Sequence, residues 1–292
     1  MNTLSKEDSL LFHKLMDSLL LFVNQKTGII KNATNMKELH QKEIEKTKLL
    51  REKIFSDKYD FIDIFVKENP FNFSTVNLGI IQSWKKYIKG KFFVVKHTPE
   101  HSLFFDSQSN KMYGVKGITD SFEEKFEGYA PVLLEITLIP FRDSIIYDGI
   151  FFPYNISFGS GIAKSLKTET DESIQKFGII TSLTQPMKKK ENNEKELLRF
   201  YMKSIDNKLR YETEINQLRK KSKDLEAVYY QEEARNFSRH PKKMLKEFGM
   251  KGYFAVMFHS VIASGSTKKE LQNNIVKIVP QEKRTWIHTF NL

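Results

Sequence analysis

Between residues 91 and 158 the side-chain pattern is that of consecutive strands, set inside a chain that is otherwise helical in period. Residues 91–98 are aromatic and β-branched, Pro99-Glu100 interrupts them, and residues 101–106 resume the same character. Residues 107–110 are turn-forming, and 111–118 alternate as a third strand. An acidic connection at 120–127, read as a helical turn, leads to a fourth strand at 131–139 and a fifth within 144–152. Asp148-Gly149 lies between two apolar triplets, which is a hairpin signal that would split the fifth run in two. Residues 155–158 add a last short strand. Five or six short strands in about 65 residues predict a small, strongly curved antiparallel sheet or a partly open barrel.

The flanks read as helix. Ser5 with Asp8 forms a capping pattern, and Leu11, Leu15, Leu19 and Phe22 then share one face up to Gly28. A second helix is expected over 35–55, carrying Leu39, Glu43, Lys46, Leu50 and Lys53 and a Glu38–Lys42 pair. A short helix at 60–67 ends at Asn69-Pro70, and Ser74 caps another through Trp84 and Tyr87 to Gly90. Beyond the strands, 162–167 and 171–177 are helical, and residues 185–193 form a polar boundary. From 194 to 237 there is neither Gly nor Pro. Tyr211, Ile215, Leu218, Ser222, Leu225 and Tyr229 recur in a heptad-like seam, so one long helix is expected, either packed on its own chain or paired as a coiled-coil homodimer. His240-Pro241 should end it. Residues 253–263 are the most apolar run, read as a buried helix or strand with His259 in the core. Thr267 with Glu270 caps a final helix, and Trp286 and Phe290 should be tucked into the fold. The resulting expectation is an α+β chain of three parts: helices over 1–90, a β module over 91–161, and a helical region over 162–292.

Composition narrows the chemistry. The 292 residues contain no cysteine, which removes disulfides, thiol nucleophiles and cysteine-based metal centres. No apolar run approaches the length of a membrane span, and Lys6, Glu7 and Asp8 do not form the basic start of a signal peptide, so a cytoplasmic chain without membrane contact is expected. The net charge is +11, and residues 188–292 carry +10 of it. That asymmetry is the footprint of a protein that meets phosphate backbones. Lysine outnumbers arginine 39 to 8, so a plain solvated lysine-rich surface is the competing explanation.

Few motifs carry specific chemistry. Gly159-Ser160-Gly161 with Lys164 lacks the residues of a P-loop or dinucleotide fingerprint and reads as a strand-to-helix turn. Glu135, Asp143 and Asp148 fall close together on adjacent strands and turns, where a metal-dependent nuclease or hydrolase would gather its carboxylates. Thr137, however, stands where the restriction-nuclease pattern needs lysine. His97 and His101 could meet across a tight hairpin as metal or phosphate ligands, although ordinary surface histidines are the better explanation. No nucleophile motif is present. The densest cation groups are Lys188–Lys190, Arg219, Lys220 and Lys221 with Lys223, and Arg235, Arg239, Lys242 and Lys243 around Phe237. Arginine beside an aromatic at a helix end is how single strands are held, by phosphate contact and stacking.

The run Leu138-Ile139-Pro140-Phe141-Arg142-Asp143-Ser144-Ile145-Ile146-Tyr147-Asp148-Gly149-Ile150 resembles a pattern found in uncharacterised microbial proteins. In these, one strand ends in Leu-Pro-Phe or Leu-Pro-Tyr and the next closes with Tyr-Asp-Gly. Some carry a cysteine-rich zinc motif that this chain lacks. The resemblance implies one β module over 91–161 and transfers no activity.

The leading expectation is therefore a binding protein without a cofactor or a bound metal. Its basic last third would contact RNA, DNA or a ribonucleoprotein, and its β module a protein. The alternatives are a carboxylate-based hydrolase and an assembly protein dimerising through 211–229.

Overall fold

The computed structural model describes residues 2–31, 33, 44–56, 58–185 and 193–292. The chain divides into two compact units, Met1–Lys188 and Lys189–Leu292. The architecture is α+β, with a six-stranded mixed sheet, a separate three-stranded sheet, and helices toward both ends.

In the first unit, α1 (Lys6–Thr27) begins where Ser5 Oγ accepts from the Asp8 amide and ends at Gly28 in the left-handed region. Its apolar face buries Phe12, Leu15, Leu19 and Phe22. The helices α2 (Ile44–Ile54), α3 (Phe61–Glu68) and α4 (Thr75–Ser83) follow. The expected second helix is thus seen from residue 44, while Leu39, Glu43 and the Glu38–Lys42 pair lie outside the described residues. A short 3-10 turn at Trp84–Lys86 then gives way to strand before Gly90 is reached, three residues earlier than the aromatic run suggests.

The strands are β1 (Ile88–His97), β2 (Ser102–Asp106), β3 (Lys111–Val115), β4 (Val132–Phe141), β5 (Ser144–Pro153) and β6 (Ile179–Ile180). A short helix α5 (Phe122–Lys125), closed by a Ser121–Glu124 capping box, joins β3 to β4. β1 pairs with β2 and β4, β2 with β3, and β4 with β5, all antiparallel. β5 returns alongside β3 in parallel at Val115 and Ile145, which closes a five-stranded ring. The expected partly open barrel is therefore a closed Greek-key one. Phe92, Phe104, Tyr113, Leu134 and Ile136 fill it, and Phe12 and Trp84 continue the same core into the helices. Helical region and β module consequently share one hydrophobic core.

Asp148-Gly149 is not a hairpin. The turn falls earlier, at Arg142-Asp143 between the paired Phe141 and Ser144, with Arg142 at φ 53°. Leu138 pairs with Tyr147 and Ile136 with Phe151, so β5 carries two extra residues opposite Thr137. Gly149, at φ 98°, absorbs them as a bulge. Local turn chemistry was read correctly and its use was not. Residues 154–159 are irregular, so the expected strand at 155–158 is absent. The two expected short helices are one, α6 (Ser160–Phe177), whose Leu166 and Ile174 lie on Leu103, Phe105 and Met112 of the outer barrel wall.

In the second unit, the expected long helix is four: α7 (Asn193–Tyr201), α8 (Ile205–Arg210), α9 (Glu212–Lys221) and α10 (Lys223–Glu247). Ser204, Tyr211 and Ser222 break it. The two serines adopt extended backbone and cap the following helix through their hydroxyls. Tyr211, Ile215, Leu218 and Leu225 pack on Leu198, Tyr201 and Met202 of the same chain, so these seam positions are covered within the chain. α10 runs through Pro241 to Glu247 instead of stopping at His240. The apolar run 253–263 holds two strands, β7 (Tyr253–Met257) and β8 (Ser260–Gly265), around a two-residue turn. With β9 (His288–Asn291) they form an antiparallel sheet in the order β8-β7-β9. α10 covers one face through Ala234, Phe237 and Leu245, and α11 (Lys268–Ile278) covers the other through Leu271 and Ile275.

Candidate nucleic-acid interface

α10 is held on the sheet by its apolar side, and its cations are left on the adjoining side. Arg235, Arg239, Lys242 and Lys246 recur at spacings of 4, 3 and 4, which places them in one row along the helix, and all are exposed. Lys243 lies beside the row. Within it, Arg235 Nη1 is 3.5 Å from Glu232 Oε1 and Lys243 Nζ 4.0 Å from Glu247 Oε1. Lys242 Nζ lies over the Phe290 ring, 5.6 Å from its centroid. The half-buried His288 on β9 reports the resulting field. Burial, and then Arg235 and Lys242, hold its pKa below the ordinary histidine value.

The other expected cations are dispersed. Arg219, Lys220 and Lys221 end α9, on the far side of the Ser222 break. The Arg219 guanidinium lies over the Tyr229 ring at 4.7 Å, and Lys221 Nζ meets Glu194 Oε1 at 2.6 Å, while Lys220 is exposed. Lys188–Lys190 lie outside the described residues. Phe237, expected at the surface, packs with Phe254 and Phe290 in the core under α10, its edge against His259. His259 is the reverse case. Expected in the core, its side chain is 72% exposed in the β7–β8 turn, with Nε2 3.7 Å from Glu233 Oε2.

Aromatic side chains far apart in sequence lie together at one end of this sheet. Tyr230 and Trp286 stack with centroids 4.1 Å apart, and Phe258 meets both edge-on at 5.3 and 5.8 Å. Phe258 and Trp286 come from opposite sides of α11 in sequence, so no local spacing could reveal the cluster.

Of the barrel carboxylates, Glu135 and Asp148 line one cavity, and Asp143 is not among its lining residues. Asp148 is buried beneath the bulge, 3.7 Å from Arg51 Nη1 of α2, and accepts from the Ile150 amide at 3.2 Å. Burial raises its pKa, and Arg51 pulls it part of the way back. Asp143 sits at the tip of the β4–β5 turn and accepts from Gln185 Nε2 at 3.3 Å. Glu135 pairs in register with Lys91 and Phe152, six residues down the strand from the turn. Among the described residues no group of three or more His, Asp or Glu could hold a metal ion. His97 and His101 do not form a ligand pair either. His97 Nδ1 is 2.8 Å from Ser102 Oγ, and the His101 ring fills the space above Gly114. The cavity that Glu135 and Asp148 line, of about 30 Å³, lies over the Arg51–Asp148 pair and is lined also by Lys48, Lys89 and Phe152.

Among the described residues, no helix is long and apolar enough to cross a membrane. No protein-family model, curated protein or solved structure matches this chain.

Proposed function

We propose that this chain is a non-enzymatic nucleic-acid-binding protein that contacts phosphates through the α10 row. The observation that carries the reading is the alignment of Arg235, Arg239, Lys242 and Lys246 on one exposed helix side, with His288 in their field. Four aligned cations match a run of phosphates, and their release of counterions would make binding steeply salt-dependent. The barrel is not the basis for this reading. Five-stranded Greek-key barrels of the oligonucleotide-binding type use the wall around their second and third strands. Here α6 lies on that wall through Leu166 and Ile174.

The test is fluorescence anisotropy with labelled RNA and DNA across a salt series. Four phosphate contacts give a log–log slope of about −3. Reversing Arg235, Arg239, Lys242 and Lys246 to Glu should abolish binding near physiological salt and flatten the slope. Unchanged affinity and slope in that variant would refute the assignment.

A further inference from the structure

We propose that Phe258, backed by Tyr230 and Trp286, is a stacking platform for unpaired bases, so that the surface prefers single-stranded to duplex nucleic acid. This rests on the reading of α10 as the phosphate-binding element and extends it to the form of the strand.

Phe258 is the first residue of the two-residue turn between β7 and β8, and its φ is 53°. A bulky aromatic in the left-handed region is unusual, since Gly or Asn makes such a turn without the steric cost. Burial does not account for the choice, because the residue is 40% exposed. The position therefore keeps the ring at the expense of its backbone, as binding sites do. The ring is also fixed in place. It meets Tyr230 at 82° and Trp286 at 78°, and those two stack on each other at 28°. Rigid aromatics present contact area with little entropy to lose.

The platform lies before the start of the phosphate row, with Tyr230 on α10 five residues ahead of Arg235. Trp286 precedes His288 by two residues, about 7 Å of extended chain, and His288 lies in the field of Arg235 and Lys242. An open groove of about 600 Å³ runs past Trp286, lined by Lys195, Lys223 and Lys283 and equally by Asp224, Glu226 and Glu282. Lys283 Nζ lies 5.6 Å from the indole. Bases inside a duplex are stacked on one another and offer no free face, whereas every base of a single strand does.

The experiment compares a short labelled oligothymidylate with a duplex of equal length, using the full chain. Phe258→Asn keeps the turn and the charges, and Phe258→Tyr keeps the ring. The wild type should favour the single strand. Phe258→Asn should lose about fivefold or more of single-strand affinity, the least expected of one stacked base, with duplex affinity and salt slope unchanged. Phe258→Tyr should restore it. The single strand should also quench the fluorescence of Trp286, and the quench should vanish in Trp286→Phe, since Trp84, the second tryptophan, is fully buried in the first unit. Equal wild-type affinity for both forms, or an unchanged Phe258→Asn, would overturn the stacking platform while the phosphate row stood. A wild type that binds neither form near physiological salt would remove the row and the platform together.

Discussion

The ion pair under the β5 bulge should give this protein a pH-dependent stability that one substitution amplifies. Arg51 and Asp148 side chains are only 12% and 6% exposed, yet their closest atoms are 3.7 Å apart, and Arg51 Nε and Nη1 have no hydrogen-bond partner among the described residues. Burial lowers the Arg51 pKa and raises that of Asp148, so for each group desolvation outweighs the attraction of the other. A carboxyl whose folded pKa is raised binds its proton more tightly when folded. Its ionisation therefore works against folding. Stability is highest below the unfolded pKa, near 3.9, and falls as pH rises toward the folded value, by up to about 1.4 kcal/mol per unit. Arg51→Met removes the guanidinium beside Asp148, leaves the weaker pull of Lys89 and the Ile150 amide to offset its burial, and should deepen that fall. Breaking one side of a buried pair costs about 3–5 kcal/mol, or about 6–20 °C in the melting temperature of a unit this size. That loss should appear at pH 7.5 and shrink at pH 4.5, where Asp148 can protonate. Asp148→Asn should be destabilised at both pH values, because Arg51 stays charged. Arg51→Met with Asp148→Leu should be more stable than either single variant. Thermal melts at the two pH values decide the matter. An Arg51→Met loss that is the same at both would refute the reasoning.

Two further outcomes follow from the second unit. An anion on the α10 row would stabilise protonated His288 and raise its depressed pKa, so binding should take up a proton. Nucleic-acid affinity at fixed salt should rise from pH 8 to pH 6, and His288→Gln should flatten that profile. Pro241, inside α10, cannot donate to the carbonyl one turn earlier, so Pro241→Ala should stabilise the unit by about 1–3 kcal/mol, seen as a higher melting temperature.

Legibility in the sequence followed the range of the interactions. Capping at Ser5, Ser74 and Thr267 was readable because hydroxyl and amide lie three residues apart. The same chemistry at Ser204 and Ser222 was masked by a run without Gly or Pro, in which a serine looks like one more helical residue. The hairpin turn at Phe258-His259 carries no turn residue at all, so two strands looked like one apolar segment. Barrel closure depends on Val115 meeting Ile145, and the stacking cluster on Trp286 meeting Tyr230, pairings fixed only by the assembled core. Arg235, Arg239, Lys242 and Lys243 were visible as a charge group, but which side of the helix they took depended on where Ala234 and Leu245 packed.

The start of the chain is tied to the middle of the barrel. The Leu4 amide donates to the Gly117 carbonyl at 3.0 Å, and the Gly117 amide to that of Asn2 at 2.8 Å. On the ribosome Asn2 and Leu4 are made some 110 residues before Gly117, a wait of roughly 5–20 s at about 5–20 residues per second. The apolar face of α1 is covered sooner, because Phe22 meets Phe65 of α3 and Phe12 meets Trp84. The helices therefore have their core partners on α1 before the barrel takes up the segment that precedes it.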